Sequence, residues 1–99
     1  MTDDKKKKLP SCVDFGLRYW ERLQSKFDKM GENWMDWMTS KVQKKWFLAC
    51  YARELLEGLI DGDDVYDYKL FFALGYKLID LVSSVNFELI KYNNDKKEN

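Results

Sequence analysis

Histidine is absent from this 99-residue chain, and there are only 2 cysteines. Without imidazole there is no His-based general base, no Ser–His or Cys–His nucleophile pair, and no way to complete a structural zinc site. Two thiols are also too few for a disulfide-rich secreted scaffold. The amino terminus, MTDDKKKKLPS, lacks the apolar core of a signal peptide. No run of residues approaches the ~18 consecutive apolar positions of a membrane span. There is no Gly-rich phosphate loop and no Ser-x-x-Lys nucleophile motif. Together these absences exclude most enzyme classes, so the sequence is read as non-enzymatic, with no cofactor and no metal. The expected setting is intracellular and soluble.

Net charge is lacking too. Seventeen basic and seventeen acidic side chains cancel, giving a pI near 6.3. That argues against a whole-surface nucleic-acid binder and leaves local patches open. What is present is apolar: 45% hydrophobic and 16% aromatic residues, with 34% charged. This is a globular profile of one-domain length, and residues 1–99 are read as a single helical domain. The vocabulary, rich in Lys, Asn, Tyr and Phe, fits AT-rich codons and a viral or phage source.

Residues 1–10 read as a flexible basic arm, with Lys5–Lys8 balanced by Asp3 and Asp4 and Pro10 closing the extended segment. Ser11 is the expected N-cap of a first helix, with Asp14 completing a capping-box-like arrangement. Val13, Leu17, Trp20, Leu23, Phe27 and Met30 share one sector of a helical wheel, and Gly31 stands where a C′ glycine belongs.

A second helix is expected over 33–60, capped by Asn33, with Trp34, Met35, Met38, Val42, Ala49, Ala52, Leu56 and Leu59 inward. This stretch carries three of the four tryptophans and reads as the centre of the bundle. Thr39-Ser40 marks a place where it could break into 33–38 and 40–60. A third helix, capped by Asp63 or Asp64, is expected to run to about Tyr92 and to leave 93–99 as a polar tail. Its stripe is Tyr68, Phe71, Leu74, Leu78, Leu81, Val82, Val85 and Leu89. Gly75 within that stripe implies close approach to a neighbouring helix.

The fold class implied is all-α: an antiparallel bundle of three helices, or four if the central one breaks near Thr39. Folding directly at Gly31-Glu32 lays the first helix along 33–51. Cys12 then falls opposite residue 51, beside Cys50, and a free-thiol state is favoured over a disulfide. The same folding leaves an apolar overhang over 52–72, so Leu55, Leu59, Tyr68 and Phe72 are candidate residues of a homodimer interface.

Phe47 and Tyr51 on the second helix, with Tyr76 and Phe87 on the third, are candidate protein-binding aromatics. Lys41, Lys44 and Lys45 with Trp37 are candidate anion or nucleic-acid contacts, cations neutralising phosphate beside a stacking indole. Asp61, Asp63, Asp64 and Asp67 do not make a calcium loop, since Tyr66 and Phe72 stand where glycine and glutamate are needed. Glu54, Glu57, Asp80 and Glu88 fall on wet faces. The leading expectation is a small protein-binding regulator, adaptor or inhibitor. The alternatives are a nucleic-acid-binding regulator, and a membrane-surface protein that resembles bacteriocin immunity proteins in size and helical character.

Overall fold

The computed structural model describes residues 9–32, 34–62 and 68–98, with side chains described as far as Asp95. Three α-helices follow one another: α1 (Ser11–Met30), α2 (Ser40–Asp61) and α3 (Tyr68–Glu98). A short 3-10 turn, Trp34–Trp37, lies between the first two. The architecture is the expected all-α bundle, 56 × 25 × 20 Å. Asn33, residues 63–67 and the basic arm 1–8 lie outside the described residues, and with them the expected caps at Asn33 and Asp63 or Asp64.

The chain breaks where Thr39-Ser40 indicated. Thr39 caps α2, its Oγ1 accepting from the Val42 N–H at 3.3 Å, which satisfies one of the four orphan donors of a helix start. Helix α1 begins differently from expectation. Ser11 is already helical and makes no side-chain cap; the Pro10 carbonyl accepts from the N–H groups of Val13 and Asp14 at 3.0 and 3.1 Å. Gly31 ends α1 with φ +88°, a conformation that disfavours any side chain. Helix α3 does not stop near Tyr92 but continues to Glu98. No glycine or proline follows Gly75 to stop it.

The hub is α3, not the 33–60 stretch. It runs parallel to α1 and antiparallel to α2 and packs closely on both. The α1–α3 approach is set by two glycines. A Cβ on Gly75 would meet the Cys12 Sγ and Val13 Cγ2 at 3.0 Å, and one on Gly16 would meet the Gly75 carbonyl oxygen at 3.3 Å. The close approach read from Gly75 is therefore present, and Gly16 is its counterpart on α1.

Between α1 and α2 the contact is aromatic. Trp20 stacks on Trp46 at 5.5 Å, and Phe27, fully buried, stacks on Trp34 at 4.5 Å and meets Trp46 edge-on at 5.0 Å. This pairing corrects the expected register. Direct fold-back at Gly31 puts Trp20 opposite Gln43, whereas it lies against Trp46 and beneath Arg53, whose guanidinium carbon is 4.3 Å from the ring centroid. The 3-10 turn takes up chain between α1 and α2 and slides α2 along α1 by one to three turns. Cys12 lies on the face of α1 that packs beside Gly75 of α3, not opposite residue 51, and Cys12 and Cys50 are both free.

Candidate functional site

The Lys/Trp group does not assemble as one surface. Trp46 is buried, and Trp34 and Trp37 are half-buried in the aromatic core. Trp37 stacks on Tyr92 at 5.6 Å, and its indole nitrogen is buried without a hydrogen-bond partner. Lys45 turns towards α3 and donates to Ser84 Oγ at 2.8 Å. Lys41 and Lys44 alone are exposed, with no exposed indole beside them.

The remaining exposed surface of α2 mixes large apolar residues with Glu54, Glu57 and Asp61. Phe47 and Tyr51 are exposed as the wheel indicated, 56% and 61%, and Leu48 (52%) and Leu55 (41%) join them. Beside this face, between α2 and α3, lies a groove of about 330 Å³ lined by Glu54, Leu55, Gly58, Leu59, Leu70 and Leu74. Its walls are almost wholly apolar. Gly58 opens it, since a Cβ there would meet nothing within 4 Å. Of the expected interface residues, Leu55 and Leu59 line this groove, while Tyr68 and Phe72 are exposed on α3; Tyr68, expected in the inward stripe of that helix, lies at its exposed start instead. The cause is not the overhang expected from helix lengths, because the register shift brings α1 further along α2. Leu56 and Phe71 at that end are fully buried, and what stays open is a second set of apolar side chains.

Four of the exposed large residues of α3 share one side of the helix. At ~100° per residue, Phe72, Tyr76, Phe87 and Ile90 fall within about 60° of one another, a stripe roughly 27 Å long. All four are more than two-fifths exposed. Phe72 and Tyr76 stack at 6.5 Å, and the Lys91 ammonium lies 5.7 Å from the Phe87 ring centroid. Next to the stripe, Asn86 donates to the Tyr19 hydroxyl at 3.3 Å, and Tyr19 meets Phe15 edge-on at 5.7 Å. Phe15 is itself exposed, so α1 widens the aromatic surface.

The sequence reading named Phe47, Tyr51, Tyr76 and Phe87 and missed Phe15, Leu48, Leu70 and Ile90. A signal for Leu48 was present: Lys44, Leu48, Tyr51, Leu55 and Gly58 repeat at spacings of four and three.

Among the described residues no group of three or more His, Cys, Asp or Glu could hold a metal ion. Glu57 is paired with Arg53 (Nη1–Oε2 2.6 Å), and Glu88 lies 3.9 Å from Lys91. Burial pushes the Cys50 thiol above its usual pKa, with the Trp20 indole and the Arg53 guanidinium opposing that rise. A nucleophilic cysteine needs the opposite displacement. Over Tyr68–Asp95, α3 is long enough and contains a window apolar enough to cross a bilayer by length and composition, although Lys69, Lys77, Asp80, Glu88, Lys91 and Asp95 lie within that span. A third of its apolar window is buried inside the bundle. No family model, curated protein or solved structure matches the chain.

Proposed function

We propose that this protein is a small non-enzymatic regulator, an adaptor or inhibitor, that acts by binding another protein through the outer face of α3. The observation that carries this reading is the pair of exposed apolar clusters on one side of α3, Phe72 with Tyr76 and Phe87 with Ile90, separated by a polar stretch that includes Asp80 and Ser83. Aromatic side chains in such clusters present large apolar area with few rotatable bonds, which is what protein–protein hot spots use. Their placement on one side of the helix suits a partner that offers an apolar groove or a second helix.

The test is partner capture with Tyr76→Ala combined with Phe87→Ala. Capture should fall at least about tenfold, the scale of losing two hot-spot side chains, with helicity and melting temperature unchanged. Undiminished capture would count against the reading. A nucleic-acid role draws on Lys41 and Lys44 but lacks the exposed indoles that base stacking requires. Strongly salt-dependent retention on DNA or RNA would restore it.

A further inference from the structure

We propose that two copies of this chain pair through the outer face of α2, laid antiparallel about a two-fold axis level with residue 53. The face is distinct from the α3 stripe, so this pairing stands or falls independently of the partner proposed above.

Three features of α2 converge on it. The first is spacing. Lys44, Leu48, Tyr51, Leu55, Gly58 and Gly62 recur at alternating steps of four and three, the repeat of a helix that packs along another helix. Leu48, Tyr51 and Leu55 form the exposed middle of that line. Antiparallel pairing with Leu48 of one copy over Gly58 of the other puts Tyr51 on Leu55. Leu48 then enters the apolar groove that Gly58 leaves open.

The second feature is charge polarity. Helix α2 carries Lys41, Lys44 and Lys45 towards its start and Glu54, Glu57 and Asp61 towards its end. Its first turn holds no acidic residue and its last turn no basic one. Each sign therefore sits at the end where the helix dipole opposes it. An isolated helix gains nothing from this order. Two antiparallel copies do, because each basic, dipole-positive end meets the other's acidic, dipole-negative end. In the same register Lys44 lies beside Asp61 of the second copy, and two-fold symmetry makes that contact twice. Glu54 of each copy lies at the rim beside the axis, where solvent and salt screen the like-charge pair.

The third feature is area. At ~200 Å² for a large side chain, the exposed fractions of Phe47, Leu48, Tyr51, Leu55 and Leu70 leave on the order of 500 Å² of apolar surface. A standard interface buries about 800 Å² per partner, of which about 60% is apolar. One copy supplies that share.

The experiment is sedimentation equilibrium of the full chain from about 1 μM to 1 mM, followed by charge reversal. The unaltered chain should pass from one-chain to two-chain mass within that range. Lys44→Glu alone, and Asp61→Lys alone, should each weaken self-association about tenfold by turning two attractions into repulsions. An equimolar mixture of the two variants restores both opposite-charge contacts and should recover the two-chain species at the original concentration. Both positions are exposed, and circular dichroism confirms that each variant folds. A chain that stays at one-chain mass up to 1 mM overturns the proposal. So does a dimer whose strength ignores both substitutions, or one that the mixture fails to rescue, because the contact would then lie on another face.

Discussion

Helices α1 and α2 are nearly equal in length, 20 and 22 residues, but they are built on opposite plans. In α1 apolar and polar residues are sharply segregated. Asp14 sits in its first turn and Lys29 in its last, each complementing the dipole, and Asp14 also pairs with Arg18 at 3.2 Å. One face enters the core and the other, apart from Phe15 and Met30, is wet. In α2 the inner face is as well buried, with Val42, Trp46, Ala49, Ala52 and Leu56. Its outer side also exposes Phe47, Leu48, Tyr51 and Leu55 among its charged residues, and those charges run against its dipole. The comparison separates residues that hold this chain together from residues left over for something else.

The largest effect should fall where α1 meets the aromatic core. Phe27→Ala removes a fully buried ring from between Trp34, Trp37 and Trp46, and should cost about 3–5 kcal/mol in urea denaturation. Tyr51→Ala on the outer face of α2 removes a ring of similar size. At concentrations where single chains prevail, it should change stability by no more than ~0.5 kcal/mol. Equal losses at the two positions would mean that α2's outer face belongs to the fold and would end the contrast.

Glycines sharpen it at intermediate size. Gly75→Ala forces a methyl against the Val13 backbone nitrogen at 3.1 Å, a contact that backbone cannot relieve cheaply. It should destabilise by about 1–3 kcal/mol, as overpacking does. Gly58→Ala meets open space on α2 and should stabilise the single chain by roughly 0.5–1 kcal/mol. The same variant narrows the groove and should weaken self-association. A thermal melt and a sedimentation run would then move in opposite directions.

How much of this was legible in the sequence differed in kind between the two helices. Most of the face of α1 followed from periodicity because one face alone is largely apolar, but Met30, read as inward, is exposed, and Ser11, read as the cap, is the first helical residue. For α2 the wheel marked Phe47 and Tyr51 as exposed but had no rule for apolar residues on two sides, and Leu48 escaped. Thr39 was readable because a cap is local chemistry. Register was not. Whether Trp20 meets Gln43 or Trp46 depends on how much chain the 3-10 turn Trp34–Trp37 takes up, and that follows from how the indoles stack on Phe27. The hub role of α3 was hidden for a related reason: Gly75 announced a close approach, but its partner Gly16 looked like an ordinary position until the two helices were side by side.

The smallest expected effect tests the charge order directly. Lys41 is exposed in the first turn of α2, where the unpaired N–H groups and the dipole favour an anion. Lys41→Glu should therefore stabilise the single chain by about 0.3–1 kcal/mol at low salt, less as salt screens it. The matched change on α1, Asp14→Lys, removes the favourable sign and the Arg18 pair, and should destabilise by a similar amount. Both are read from urea denaturation at a concentration too low for self-association. A stabilising Lys41→Glu means that the native lysine is retained at a cost to the fold, which requires a use outside it, such as the acidic end of a second α2. A neutral or destabilising result would mean that the lysine already serves the single chain, and the charge order of α2 would no longer point outward.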